Sequence, residues 1–382
     1  MSVYLDYNAS APVSGPVLEE MIDTYKNSFG NADSRTHDFG ERARKKVETA
    51  RQQVGSLLDV RTDEIFFTSG ATESNNSVIL GLQDYGERTG KKHIITTSIE
   101  HHSVLNACKE LEKRGFLVDY VNPDSSGRVS VDEIISLVQD NTLLVTVMHV
   151  NNETGIIQPV KEIGSKLKDR DVFFHVDATQ SVGKLIDEVK DLDYDMLSCS
   201  AHKLQGPQGV GTLVMRRRRY VLPPVKQLMF GGQQERGFRP GTTPVALVSG
   251  FGKACEIAEK NHEQNSKVIK DIKGAISKAL KESGVSYKLN GDENYCVDSC
   301  LNISFDGISS EALMLSTKQY CGISNGSACD SKSYELSYVL RAMGLDDMRI
   351  EQAVRMSWGP DSDKELIITE IKNLLETIKT FQ

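Results

Sequence analysis

Ser198-Cys199-Ser200-Ala201-His202-Lys203-Leu204-Gln205-Gly206-Pro207 is the stretch from which the fold is read. It follows Met196-Leu197, an apolar pair that closes a buried strand, and leads into a glycine-punctuated turn from Gly206 to Gly211. Lysines mostly stay in water. One held at a strand end among small residues, beside a histidine, has another use: its amine can condense with an aldehyde. Upstream, His175-Val176-Asp177-Ala178-Thr179-Gln180 is a second strand end. The interval from Asp177 to Lys203 has room for one helix and one strand, which puts the two on neighbouring strand ends. That pairing suits pyridoxal phosphate. The lysine holds the cofactor covalently, and the carboxylate keeps the pyridine nitrogen protonated so that the ring acts as an electron sink.

The surrounding pattern gives the architecture. Residues 64–68 read as a strand, and Ser69-Gly70-Ala71-Thr72-Glu73-Ser74 turns into a helix reaching about Tyr85. Strands follow at 93–97, 117–121, 143–150, 172–176, 195–199 and 209–215, with helices at 103–114 and 160–168. Strands apolar almost throughout, alternating with helices, indicate a mostly parallel sheet covered on both faces. Ligands then sit at the carboxyl ends of the strands, where these polar motifs fall. Helices are expected at 16–28 and 41–58, and one long charged helix over 246–282. Beyond it, a strand at 300–305 and helices at 310–320 and 365–380 read as a smaller α+β domain. The expected division is a large domain over 15–255 and a small one from 1–14 and 256–382.

The chain has 382 residues, 39% hydrophobic and 26% charged, with a net charge of −8. Phosphate affinity comes from clustered Lys and Arg, so no direct DNA binding is expected. The Arg216–Arg219 run reads as a solvated strand end. No signal peptide is visible, and no apolar run reaches the ~20 residues of a membrane span. The 7 cysteines lack C-x-x-C spacing, which excludes a disulfide framework or zinc site and fits a reducing, cytoplasmic setting.

Further candidates flank the central pair. Gly70-Ala71-Thr72 opens a helix whose free N–H groups favour a phosphate, or the turn is simply capped by Ser69. His101 can stack on an aromatic cofactor and move protons, or only find a hydrogen-bond partner. Asn152 can bond a phenolic oxygen or form a turn. Arg355, alone in the apolar run 353–358, suits a carboxylate or a structural ion pair. Cys329, in Asn325-Gly326-Ser327-Ala328-Cys329-Asp330-Ser331, sits among small polar residues, the exposed setting a reactive thiol needs. The other six cysteines read as packing residues.

Taken together, Gly-Ala-Thr-Glu-Ser, Glu-His-His, His-Val-Asn-Asn-Glu-Thr-Gly, His-Val-Asp-Ala-Thr-Gln-Ser-Val-Gly-Lys, Ser-Ala-His-Lys, Arg-Pro-Gly-Thr and Gly-Ser-Ala-Cys resemble the signatures of NifS/IscS-like cysteine desulfurases, from Tyr4 to about Ile378. The resemblance implies a fold-type I pyridoxal-phosphate transferase of α/β class, with a mostly parallel seven-stranded sheet and a smaller α+β domain. It implies a homodimer acting on L-cysteine, with sulfur passed to an acceptor protein. By the same resemblance Lys203 carries the cofactor, His101 stacks on it, and Asp177 pairs with its ring nitrogen. Asn152 and Gln180 contact its phenolic oxygen. Thr72, Ser200 and His202, with the backbone at Ala71, hold its phosphate, completed by Thr242 of the other subunit. Arg355 clamps the substrate carboxylate and Cys329 takes the sulfur. The chain ends at Gln382 without the extension on which IscS proteins dock their scaffold. Ala32, Met229-Phe230-Gly231-Gly232, Arg239-Pro240-Gly241-Thr242 and Ser357-Trp358 look instead like the DNA-phosphorothioation (Dnd-type) branch.

Overall fold

The computed structural model describes residues 2–325 and 336–382. Twelve strands are numbered here in chain order: β1 Val3–Tyr4, β2 Ile65–Thr68, β3 His93–Thr97, β4 Leu117–Val121, β5 Thr142–Met148, β6 Phe173–Asp177, β7 Met196–Ser200, β8 Gly211–Met215, β9 Tyr287–Leu289, β10 Cys300–Phe305, β11 Cys321–Gly322 and β12 Ala353–Ser357.

Seven of them form one sheet in the order β2-β8-β7-β6-β5-β3-β4. β8 is antiparallel to both neighbours, and the remaining pairs are parallel. The predicted mostly parallel sheet is therefore present. Every residue of β5 and β7 is buried, as strands covered on both faces must be. Because β8 alone is reversed, the carboxyl ends of β2, β3, β5, β6 and β7 share one edge with the start of β8.

The helix Asp38–Leu58 turns Val47, Val54, Leu57 and Leu58 inward and packs on Val245–Lys260, itself rich in small and apolar residues. The single helix expected over 246–282 is two, Val245–Lys260 and His262–Ser283. The break falls at Asn261, whose residue type competes with its own helix for backbone hydrogen bonds. The first helix stays on the main core. The second packs with Lys364–Lys379 beside a three-stranded sheet, β12-β10-β9. Val3 and Leu5 join that second core, and β1 pairs parallel with β11.

The expected helix to Tyr85 likewise ends early, at Gly81, and Gln83–Thr89 is separate. The Arg216–Arg219 run is mostly engaged on its own chain. Arg216 donates to the Leu192 carbonyl, Arg217 to Asp63, and Arg218 to Asp195. Among the described residues, no helix is long and apolar enough to cross a membrane.

Candidate active site

A cavity of about 480 Å³ opens at the shared strand-end edge. Its floor begins at Ser69-Gly70. Gly70 has φ +151°, and a Cβ on Gly211 would lie 2.7 Å from the Gly70 Cα and 2.5 Å from the Cys199 carbonyl oxygen. Glycine at 211 is what lets the turn lie against β8. Helix Ala71–Gly81 starts there with its first-turn N–H groups unpaired within the helix. The capping alternative does not hold. The N-cap is Gly70, without a side-chain cap, and the Ser69 N–H donates to the Glu73 carboxylate at 2.8 Å. Ala71, Thr72, Ser200 and His202 all line the cavity at this positive helix end.

Asp177 closes β6 and is buried. Its Oδ2 accepts from Asn75 Nδ2 at 2.7 Å, and Oδ1 accepts from the Thr179 N–H at 3.0 Å and from the Thr179 hydroxyl. Two residues earlier on β6, the His175 ring lies between the hydroxyls of Thr146 (2.8 Å) and Ser198 (2.9 Å). Burial pushes its pKa down to about 4 despite Asp177, so it is neutral at pH 7. Asn75 also donates to Ser103 Oγ at 2.9 Å, which lies 2.8 Å from His101 Nδ1. Because that Nδ1 accepts the Ser103 backbone N–H at 3.1 Å, the neutral ring carries its proton on Nε2. Burial lowers the His101 pKa. Asp177 opposes the shift, and Lys203 and His102 add to it.

Lys203 sits in the single turn Ala201–Lys203 after β7. Its Nζ donates to the carbonyls of Asn8 (2.6 Å) and Ala9 (2.7 Å), so the N-terminal segment is part of the site. Gln180 Nε2 shares the Asn8 carbonyl at 2.9 Å, and His202 Nδ1 is 3.2 Å from Ser10 Oγ. Burial, then Lys203, pushes the His202 pKa down to about 4. Arg355, on β12 and only 3% exposed, makes the structural ion pair of one of its two expected readings. Nη2 pairs with Asp6 Oδ1 at 2.6 Å, Nη1 donates to the Asn152 carbonyl at 2.9 Å, and the same guanidinium lines the cavity. Its Nε and Asn152 Oδ1 are buried without a hydrogen-bond partner among the described residues.

Ten of the twelve expected residues line this one cavity: Ala71, Thr72, His101, Asn152, Asp177, Gln180, Ser200, His202, Lys203 and Arg355. Thr242 is exposed and lies outside it, and Cys329 falls outside the described residues. Sequence reasoning missed Asn8, Asn75 and Ser103. Asn75, a polar residue one turn into an otherwise apolar helix face, was the detectable one.

The cavity fits pyridoxal phosphate on its own chemistry. A glycine-lined helix start suits the phosphate, a buried carboxylate the ring nitrogen, a neutral histidine the ring face, and an amine the aldehyde carbon. The comparisons agree. Residues 3–367 match the class-V aminotransferase family, and the chain belongs to it. Within that family it falls among the pyridoxal-phosphate-dependent cysteine desulfurases. Cysteine desulfurase IscS of Vibrio vulnificus (strain CMCP6) is 40% identical over 384 aligned positions, covering 99% of this chain and 94% of that protein. A solved NifS-like protein superposes with TM-score 0.90 at 35% identity over 100% of both chains. DndA from Streptomyces lividans does so with TM-score 0.81 at 41% identity, covering 92% of this chain and 98% of that one.

Proposed function

We propose that the cavity takes L-cysteine and leaves its sulfur as a persulfide on Cys329, for supply to DNA backbone phosphorothioation through a carrier protein. The observation that carries the reading is that Asp177, closing β6, and Lys203, in the turn after the adjacent parallel β7, face one cavity together with the glycine-lined helix start. Bound there, pyridoxal phosphate supplies an electron sink for charge developing on the substrate α-carbon. Lys203 holds the cofactor covalently and Asp177 holds a proton on its ring nitrogen. Ala71, Thr72, Ser200 and His202 bind the phosphate, with Thr242 from a second copy of the chain. Asn152 and Gln180 orient the ring oxygen. His101, neutral and with its proton on Nε2, covers the ring face and moves protons at that atom. Arg355 is fixed by Asp6 and the Asn152 carbonyl, and its guanidinium, lining the cavity, is the cation for the substrate carboxylate.

The balance is simple. The cysteine C–S bond breaks and an S–S bond forms on the Cys329 thiolate. The carbon skeleton gains a proton in place of sulfur and leaves as alanine. The thiolate attacks because a thiol is a poor nucleophile.

The destination rests on the likeness to the Dnd-type branch. The net charge of −8 and the engagement of Arg216, Arg217 and Arg218 on their own chain favour a protein carrier over naked DNA. A second reading, a general IscS-type donor for iron–sulfur clusters or tRNA thiolation, is favoured by the equal likeness to IscS proteins. The experiment is transfer of labelled sulfur from cysteine with purified acceptors, using Cys329→Ser as control. Label is expected on an iron–sulfur protein of the DNA-modification machinery, and none with Cys329→Ser. Label reaching only a general scaffold establishes the second reading, and label reaching DNA unaided removes the carrier.

A further inference from the structure

Behind Lys203 lies a second lysine that no step above uses. Lys184 follows the turn after β6, and its side chain reaches a small cavity of about 50 Å³ shared with Tyr7, Lys203 and Trp358. Its Nζ donates to Gln180 Oε1 at 3.1 Å and to Asn8 Oδ1 at 3.3 Å. Arg355 and Cys300 are the ionisable groups whose charges act on it, and Tyr7 and Lys203 share its cavity. Among the described residues it makes no ion pair with a carboxylate, so no acid holds this half-buried amine in place.

An ammonium has three donors and no acceptor. Whatever it touches must turn an oxygen toward it. Gln180 therefore presents Oε1 to Lys184, and its Nε2 is left to donate, here to the Asn8 carbonyl at 2.9 Å. Asn8 likewise presents Oδ1, and its Nδ2 is left to donate to the Asn152 carbonyl at 3.3 Å. Lys184 on one side and the two backbone carbonyls on the other thus fix the orientation of two amides that line the main cavity. Without Lys184 each amide keeps only its NH₂ contact, and its oxygen loses the cation that holds it.

We propose that Lys184 is a positioning residue that holds the Gln180 amide with its NH₂ toward the cavity, as a donor for an anionic ring oxygen of the bound cofactor. The inference rests on the pyridoxal-phosphate reading of the site. Burial pushes the Lys184 pKa down to about 8, with Arg355 adding to the shift against Cys300, so the amine is mostly charged at neutral pH. A fixed donor backed by a cation stabilises the anionic oxygen, and so lowers the pH at which the cofactor's visible band changes.

The test is that spectral titration on purified holoenzyme, for wild type, Lys184→Gln and Lys184→Met, with thermal unfolding in parallel. The midpoint is expected to rise by about half a unit or more in Lys184→Gln, whose amide can face either way, and further in Lys184→Met. A midpoint within ~0.2 unit of wild type in both variants overturns the proposal, since a merely structural lysine would leave it there. If Lys184→Met does not fold, Lys184→Gln decides alone. Wild type without a cofactor band would sink the cofactor reading itself, which is a distinguishable failure.

Discussion

The two walls of the cavity are gathered from very different lengths of chain. The cofactor wall runs from Ser69 to Lys203 and is made of loops that directly follow successive strands of one sheet. Each side chain there is set by the strand that ends just before it. The carboxylate wall joins Asp6 and Asn8 to Arg355, across 349 residues in the Asp6–Arg355 pair, and Arg355 is also bridged to Ser324. Its geometry depends on the two chain ends meeting. The first wall is a property of a sheet edge, whereas the second is a property of tertiary closure. Damage to the first should abolish the cofactor's signature, and damage to the second should leave that signature and weaken substrate binding.

The largest expected effect tests the first wall. Lys203→Ala is expected to lose the visible band and to reduce alanine formation at least ~10³-fold, about 4 kcal/mol of barrier. Lys184 stands behind the same wall, but it is engaged by Gln180 and Asn8 and is not expected to substitute. Retained alanine production in Lys203→Ala would break the assignment.

The second wall should behave otherwise. Arg355→Lys keeps a charge but loses the fork that spans Asp6 and the Asn152 carbonyl. KM for cysteine is expected to rise about tenfold or more, ~1.4 kcal/mol, with the cofactor band unchanged. A shifted band in this variant would mean that the two walls are coupled, and the comparison would fail.

The same contrast decides what was legible in the sequence. The sheet, its parallel sense and the residues at its strand ends could be read because apolar strands and the motifs after them are local. Lys203 was readable from the end of β7 taken with Asp177 at the end of β6, and Ser200 and His202 came from the resemblance. The break at Asn261 was not, because helical periodicity continues on both sides of it and one asparagine inside such a pattern is a weak local signal. Asn8 was not readable either. Its role comes from five hydrogen-bond partners, Lys184, Lys203, Gln180, Asn152 and Ser357, all far away in sequence. Arg355 showed as a charge in an apolar strand, but its partner Asp6 did not. Ser69 was read as a possible cap and is not one, because the N-cap is Gly70 and no side chain accepts from the helix start.

The last expected effect, on stability and not on turnover, sharpens the account of the cofactor wall. Glu100 precedes His101 and is fully buried. Its Oε1 accepts from the Met148 N–H and the Thr97 hydroxyl, each at 2.8 Å, and Oε2 has no hydrogen-bond partner among the described residues. Burial raises its pKa to about 8. The two hydrogen bonds oppose that shift, and the nearby Asp177 charge adds to it. In the unfolded chain the group titrates near its ordinary 4.5. Between those values the unfolded state has lost a proton that the folded state keeps. Stability therefore falls as pH rises through that window, by up to about 1.4 kcal/mol per unit. Glu100→Gln removes the titration and keeps the shape. From pH 6 to 7.5 wild type is expected to lose up to about 2 kcal/mol more than the variant in urea unfolding of the holoenzyme. Glu153, also buried with a raised pKa, is present in both proteins and cancels. Equal pH dependence in the two would place a charged Glu100 beside Asp177, and the cofactor wall would then hold two neighbouring anions where the structure supports one.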